Sequence, residues 1–176
     1  PPEILGLDPE FRTAFLFTGA AKNQDLAKTL GGVLVRHLGV AMLFLRHVTQ
    51  VEIDVDGLRT TLEVGPSESR PEAIPASWEA RDLTIADETR TWLARRGQGG
   101  GRRVPREFMG PDPDNFPTKH FQRAIAVPVK PADQGALCVY YPTDEGSGSA
   151  MHLHGDFRTD PSRRSVRADL AFNTWA

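Results

Sequence analysis

Two neighbouring arginines near the carboxyl end of the chain, Arg163 and Arg164, have residue types and spacing suited to binding an anion. They follow the polar segment 159–162 (TDPS), which predicts a tight turn, and they precede a helical pattern over 169–175. Guanidinium groups bind carboxylate and phosphate oxygens through paired N–H donors. A helix dipole disfavours cations at its amino-terminal side, so an unpaired cluster there favours a bound anion. The alternative is a solvated basic turn.

A second candidate is the segment 152–156 (HLHGD), which alternates as a β-strand does. Alternation places His152, His154 and Asp156 on one face, where metal binding requires its ligands to converge. The spacing resembles the metallo-β-lactamase signature, which needs a further histidine where this chain has Phe157. The alternative, a solvent-facing strand with polar side chains, is the one we favour, so we expect no metal site.

Other reactive patterns are weaker. The segment 95–103 is rich in arginine and glycine, but it lacks the G-x-x-x-x-G-K-[ST] order and interleaved aromatic residues, so a solvated loop is favoured over a phosphate or nucleic-acid site. The sequence contains no G-x-S-x-G elbow for a serine nucleophile. The single cysteine, Cys138, lies in an apolar strand pattern, which predicts an inert core thiol and a reducing, cytoplasmic compartment.

Composition limits the class of protein. The chain has 176 residues, of which 39% are hydrophobic, enough for one domain with a real core. Its net charge of −2 gives no overall field that attracts nucleic acid or a membrane surface. No apolar run is long enough to span a bilayer. The chain begins Pro1-Pro2 rather than with methionine, which predicts a piece of a longer protein.

The amino-terminal half predicts a strand followed by helices. Residues 11–18 (FRTAFLFT) are apolar and β-prone, and Asn23 is a plausible helix N-cap. Apolar residues from Leu26 to Leu45 follow helical spacing. Glycines weaken this helix by roughly 1 kcal/mol each, so we expect a break near Gly39 and a second short helix over 40–47.

The segment 51–64 (VEIDV-DG-LRTTLEV) predicts a hairpin, because two alternating strands flank an Asp-Gly pair. A two-residue turn places Val55 opposite Leu58 and Val51 opposite Leu62. One apolar face then covers the preceding helix, and the charged face remains in water.

The following region is less regular. Segment 77–91 is ambiguous, with a strand favoured around Trp92. Residues 97–117 are rich in Gly, Pro and Arg and predict a long mobile loop. Residues 123–129 predict a strand, in which Pro128 indicates an edge or a bulge.

The carboxyl-terminal region predicts two strands, a basic turn and a helix. The first strand covers 137–141 and ends at Pro142, and the flexible turn 146–149 leads to a strand over 151–157. The whole order of elements predicts an α+β fold, with a mixed, mostly antiparallel sheet and helices packed on one face.

Several segments resemble sacsin-like relatives of the ninety-kilodalton heat-shock chaperone. Residues 135–167 (GALCVYYPTDEGSGSAMHLHGDFRTDPSRRSVR) are similar to their succession of a strand, a histidine-containing strand, G-x-F and N-R-R. Residues 41–55 (AMLFLRHVTQVEIDV) resemble their helix-to-strand segment L-L-F-L-x-x-V-x-x-I-x-I. FRTAFLF (11–17) and FNTWA (172–176) resemble a preceding strand and a following N-x-W. The resemblance covers most of the chain but not 66–117.

Such proteins begin with a GHKL-type ATPase domain. The resemblance implies that residues 1–176 are the single middle, or transducer, domain that follows it, with a fold similar to the second domain of ribosomal protein S-five. In related ATPases, including gyrase B and MutL, this domain supplies a basic residue to the terminal phosphate of the nucleotide. The MutL turn, approximately K-R-E-V-R, is similar to 163–167 (RRSVR). By this match Arg163 is the catalytic, phosphate-contacting residue, and Arg164 supports it in nucleotide binding.

The resemblance also implies partners. ATP and Mg²⁺ would be cofactors of the intact protein and not of this chain alone, which has no E-x-x-x-N helix and no D-x-G-x-G motif. Expected partners are the upstream ATPase domain of the same chain, protein clients and a second copy of the intact protein, without nucleic acid or membrane. The chain alone would not be catalytic. The alternatives are a metal-dependent enzyme using His152, His154 and Asp156, and a protein-interaction domain with 97–117 as its contact.

Overall fold

In a computed structural model of the chain, the described residues are 24–45, 47–55, 57–68, 71, 74–97, 102–109, 120–130, 134–139 and 141–175. The elements within them are, in chain order, α1 (Gln24–Met42), β1 (Gln50–Val55), β2 (Leu58–Pro66), β3 (Glu79–Ile85), β4 (Glu88–Arg96), β5 (Arg102–Arg103), β6 (His120–Phe121), β7 (Arg123–Pro128), β8 (Ala136–Val139), β9 (Tyr141–Gly146), β10 (His152–Gly155) and α2 (Ala171–Trp175). The predicted strand over 11–18 and the predicted cap at Asn23 lie outside the described residues.

Eight of the described strands form one sheet in the order β1-β2-β3-β4-β7-β10-β8-β9, and β5 pairs with β6 in a separate ribbon. Strands β8 and β10 are parallel, and the other neighbouring pairs are antiparallel. The predicted α+β class with a mixed, mostly antiparallel sheet is therefore confirmed. None of the helices in the described residues is long and apolar enough to cross a membrane.

Helix α1 is continuous, so the predicted break near Gly39 and the second helix over 40–47 are wrong. Gly39 is buried, and a Cβ atom built on it would lie 3.3 Å from Ile85 Cδ1 and 3.6 Å from Leu62 Cδ2. The glycine lets the helix approach the sheet closely. That packing offsets the roughly 1 kcal/mol that glycine costs inside a helix.

The β1–β2 hairpin has the predicted register, in which Val55 pairs with Leu58 and Val51 pairs with Leu62. Gly57 has a φ angle of +81°, as a two-residue hairpin turn requires. The apolar face of the hairpin contributes the fully buried Leu62 to the main core under α1, and Val51 packs against that core.

The region between the hairpin and the long loop forms a second hairpin. Strand β3 and the start of β4 occupy the ambiguous segment 77–91, and the predicted strand around Trp92 is confirmed. Strand β7 is confirmed too, but it lies between β4 and β10, so the edge or bulge inferred from Pro128 is wrong. Pro128 is the last residue of β7, where the absence of a backbone N–H disturbs the hydrogen bonds of the sheet least.

Pro142 does not end a strand, in contrast to the prediction. Strand β8 stops at Val139, and β9 begins at Tyr141 and continues through Pro142 to Gly146, in the region expected to lead into a flexible turn. Because β9 is an edge strand of the sheet, it tolerates a residue without a backbone N–H.

Two groups of buried side chains hold these elements together. The main core lies between α1 and the sheet and consists of Met42, Leu43, Leu62, Val64, Leu83, Trp92 and Ala126. A second group, here named the aromatic cluster, consists of Val104, Met109, Phe121 and Phe172, with Phe108 and Phe157 packed against it. The aromatic cluster joins α2 to residues 102–109 of the predicted 97–117 loop, which carry β5 and a 3₁₀ turn.

Candidate functional site

The arginine pair lies in a closed loop of residues 159–166, here named the basic turn. Thr159 and Val166 form an isolated antiparallel bridge at its base. One residue further out on each side, the Arg167 amide donates a hydrogen bond to the Arg158 carbonyl at 3.0 Å. The predicted tight turn is thus present, with both of its ends joined by backbone hydrogen bonds.

Asn173 of α2 fastens the base of the basic turn. Its Oδ1 accepts a hydrogen bond from the Arg158 amide at 2.8 Å, and its Nδ2 donates to the carbonyls of Arg158 and Arg167 at 2.6 and 2.8 Å. One side chain therefore bridges the chain entering and the chain leaving the turn. Sequence reasoning placed this asparagine in a helical pattern and in the N-x-W resemblance, and gave it no contact with the turn.

The arginines do not lie on the first turn of a helix. The helix predicted over 169–175 forms only at Ala171–Trp175, and residues 165–170 separate it from Arg164. The argument from the helix dipole is therefore wrong, because that effect falls off within the first helical turn.

Asp160 organises the tip of the basic turn. Its Oδ1 accepts hydrogen bonds from the amides of Arg164 at 2.9 Å and Ser165 at 3.2 Å, and its Oδ2 accepts one from the Ser162 hydroxyl. Its backbone carbonyl accepts from the Arg163 amide at 3.0 Å. The hydrogen bonds to the carboxylate, that from Ser162 above all, lower the pKa of Asp160.

The two arginines differ in what they contact. Arg164 Nε lies 2.6 Å from Asp144 Oδ2 of β9, and Arg167 Nη2 lies 2.5 Å from Asp169 Oδ2. Arg163 is exposed and is in none of the ion pairs formed within the described part of the chain. Its φ angle is +59°, in the left-handed region. Of the two neighbouring arginines, only Arg163 has no carboxylate partner among the described residues.

Strand β9 holds the basic turn against the edge of the sheet. The Asp144 amide donates to the Arg164 carbonyl at 2.8 Å, and the Val166 amide donates to Glu145 Oε1 at 2.8 Å. With the Arg164–Asp144 ion pair, these bonds connect the turn to the sheet along two successive residues of β9.

The histidines of β10 point inward, so the expected solvent-facing strand is wrong. The ring of His152 lies 4.9 Å from that of Trp92, and the ring of His154 lies 5.2 Å from that of Phe44. His152 Nδ1 accepts a hydrogen bond from the Ala136 amide at 3.0 Å. Burial lowers the pKa of His152, which therefore acts as a neutral packing residue.

The candidate metal triad is divided among structural roles. Burial lowers the pKa of His154, Asp156 opposes that shift, and Arg96 adds to it. Asp156 Oδ2 accepts the Gln122 amide at 2.7 Å. Among the residues that the structure describes, no group of three His, Cys, Asp or Glu side chains is arranged to hold a metal ion.

Cys138 is confirmed as a core thiol. It is fully buried in β8, and burial raises its pKa to about 12. At neutral pH such a thiol is protonated and is a poor nucleophile.

Sequence reasoning missed two arginines at the end of α1. Arg81 Nη1 donates to the carbonyls of Met42, Leu43 and Leu45 at 3.4, 2.8 and 3.4 Å, and Arg96 Nη2 donates to the Leu45 carbonyl at 3.2 Å. They satisfy carbonyls that the helix leaves unpaired at its carboxyl end. Burial and the charge of Arg96 lower the pKa of Arg81. No local pattern signals these contacts, which depend on the register of β3 and β4.

Comparison with known proteins finds no matching family model, curated protein or solved structure. The resemblance to sacsin-like ATPases therefore remains a prediction that rests on the motifs quoted above.

Proposed function

We propose that this chain is the middle domain of a GHKL-type, sacsin-like, chaperone-like ATPase. In this function Arg163 contacts the γ-phosphate of ATP bound to a neighbouring ATPase domain of the same protein. The chain transmits the nucleotide state to the rest of the protein, and it is not catalytic alone. The buried free thiol of Cys138 suits the reducing conditions of the cytoplasm, where we place the protein.

The observation that supports this function best is the difference between Arg163 and the other arginines of its segment. Arg164 and Arg167 are paired with Asp144 and Asp169, whereas Arg163 extends from the tip of a braced turn without a carboxylate partner among the described residues. A solvated basic turn needs no such selection. A contact made by one residue with one phosphate is favoured by it, because the charge of a guanidinium that pairs with a carboxylate is partly neutralised.

The residues present suit part of a nucleotide site. The exposed guanidinium of Arg163 matches the charge and geometry of a terminal phosphate. The other contacts to ATP, and the ligands of the Mg²⁺ that neutralises phosphate charge, would come from the ATPase domain. The role of Arg163 is to add positive charge where negative charge develops, as inserted arginines do in other nucleoside triphosphatases.

The attachments of the basic turn support the coupling part of the proposal. The turn is bonded to β9 at Asp144 and Glu145 and to α2 through Asn173. A force on Arg163 would therefore act on the sheet edge and on α2 through hydrogen bonds and not through a flexible tether. Coupling between two sites requires an element that both contact, and the basic turn has this property.

The test is ATP turnover by the intact protein carrying Arg163→Ala. We expect kcat to fall on the order of a thousandfold, the lower range for removal of an inserted arginine. The matched control is Arg167→Ala, which removes the same charge from a residue paired with Asp169 and should leave kcat within about twofold, as for most exposed ion pairs. Equal turnover of Arg163→Ala and the unmodified protein would refute the phosphate role.

A second candidate function, a protein-interaction domain using 97–117, is favoured by one observation. Val104 and Met109 are buried in the aromatic cluster, while Arg103 and Arg106 between and beside them are exposed. The backbone of this stretch is thus anchored and its charges face water. Under this function Arg163→Ala changes nothing, and deletion of 97–117 alone abolishes binding of the partner.

A further inference from the structure

The backbone of Arg163 has a conformation that its residue type disfavours. A φ of +59° is in the left-handed region, which non-glycine residues avoid because Cβ approaches the following carbonyl oxygen. Such a conformation persists only where neighbouring contacts impose it. The contacts that impose it also decide the direction in which the arginine side chain leaves the turn.

Asp160 makes those contacts on both sides of Arg163. Before it, the carboxylate accepts the hydroxyl of Ser162; after it, the carboxylate accepts the amides of Arg164 and Ser165. The Asp160 carbonyl accepts the amide of Arg163 itself. One residue therefore holds the backbone at and after Arg163, and the side chain of Ser162 before it.

Within the turn the Asp160 amide also donates to the Ser165 carbonyl at 3.0 Å, and the remaining supports act further away. Asn173 bonds Arg158 and Arg167 at the base, and Asp144 bonds Arg164 from β9. Neither contacts the backbone of residues 160–163. The carboxylate of Asp160 accepts its hydrogen bonds from Ser162 and from backbone amides, so the guanidinium of Arg163 is left for an external anion.

We propose that Asp160 is the positioning residue of Arg163: it holds the left-handed backbone that aims the guanidinium at the phosphate. This rests on the proposed function of Arg163 as a phosphate ligand. Asp160 touches no nucleotide in this proposal and acts only through the arginine.

The experiment measures kcat and KM for ATP in the intact protein carrying Asp160→Ala, Asp160→Asn, Arg163→Ala, and Asp160→Ala with Arg163→Ala. For Asp160→Ala we expect kcat to fall about a hundredfold, the loss that a misplacement of about 1 Å causes, with KM changed far less. Asp160→Asn keeps Oδ1 for both amides and can donate to Ser162, so it should restore kcat to within a few-fold of the unmodified protein. Adding Asp160→Ala to Arg163→Ala should not lower kcat further.

Each result decides a different point. If Arg163→Ala lowers kcat and Asp160→Ala does not, the positioning role is refuted while the proposed function stands. If Asp160→Ala lowers kcat equally in the presence and absence of Arg163, Asp160 supports the fold generally, and the positioning role is again refuted. If Arg163→Ala leaves kcat unchanged, the proposed function itself fails.

Two further variants distinguish a loss of positioning from a loss of folding. Asp160→Glu keeps the charge but moves the carboxylate by one methylene, and we expect kcat to fall at least tenfold with an unchanged melting temperature, again through misplacement of the arginine. Normal turnover of a folded Asp160→Glu protein would overturn the proposal. Asp169→Ala removes another exposed aspartate from the same segment, and it should leave kcat unchanged because Asp169 contacts Arg167 and not the basic turn.

Discussion

Asn173→Ala should open the base of the basic turn while leaving the rest of the fold intact. The substitution removes three hydrogen bonds, one accepted from the Arg158 amide and two donated to the carbonyls of Arg158 and Arg167. A hydrogen bond contributes about 0.5–1.5 kcal/mol net, and the lower half applies here because water reaches the freed groups. We therefore expect a loss of about 2 kcal/mol, confined to the turn and α2.

Amide hydrogen exchange measures this loss directly. The Arg167 amide, bonded to the Arg158 carbonyl, should exchange roughly 30-fold faster in Asn173→Ala, since about 2 kcal/mol changes a local opening equilibrium by that factor. The Gly97 amide, bonded to the Arg123 carbonyl at the end of β4, should be unchanged. The matched control is Thr174→Ala, which alters an exposed neighbour on the same helix.

Two outcomes would refute this reasoning. Equal protection of the Arg167 amide in Asn173→Ala and Thr174→Ala would show that the side chain of Asn173 does not fasten the turn. Equal acceleration at Arg167 and Gly97 would show that the substitution weakens the whole fold and not a local unit.

Two further predictions concern the core. Arg81→Met should lower the free energy of unfolding by about 1.5–3 kcal/mol in urea titrations, the value for hydrogen bonds from a charged donor, because carbonyls at the end of α1 lose their partner. Arg90→Met, which removes an exposed arginine paired with Glu88, should cost about 0.5 kcal/mol or less, and an equal loss in both variants would contradict the capping role. Because burial lowers the pKa values of His152 and His154 in the folded state, the unfolded chain binds protons first as pH falls below the ordinary histidine value of 6.5, so stability should decline from that pH downward. Urea midpoints measured between pH 8 and pH 5 check this, and a decline of the same steepness in His154→Phe would exclude His154 as a source.

The parts of the fold that follow from local rules were predictable. The β1–β2 register follows from alternation on both sides of the Asp-Gly pair, which needs no knowledge of the rest of the chain. The break expected at Gly39 fails for the opposite reason. The cost of a glycine in a helix is local, but at Gly39 it is offset by packing against Ile85 and Leu62. These residues are distant in sequence and become neighbours only in the folded chain.

The faces of the later strands were also set by distant contacts. Histidines on an alternating strand predicted a solvent-exposed face. Strand β10 instead lies between β7 and β8, where the main core covers one face of the sheet. His152 and His154 are accommodated there by ring contacts and, for His152, by a hydrogen bond. Polarity alone predicts exposure poorly when a side chain has both an apolar ring and a polar atom.

The same limit applies to the candidate site. Its location on a tight turn follows from residues 159–162, but the distinction between Arg163 and Arg164 does not. It depends on Asp144, which β9 brings to the turn from 20 residues earlier in the chain. Sequence could therefore predict a basic turn, and only the pairing of strands decides which charge is free.

The arrangement of acids around the basic turn favours a single directed contact over a diffuse basic surface. Asp144 and Asp169 each pair with one arginine, and Asp160 places a third negative charge at the tip. A surface that attracts polyanions from a distance attracts them more strongly with every unpaired positive charge. Salt largely screens that attraction beyond about 10 Å. Here the neighbouring arginines are paired, and Arg163 alone of the three has no carboxylate partner among the described residues. This arrangement gives little long-range attraction, and it is compatible with the proposed contact to an anion that an adjacent domain of the same chain would hold.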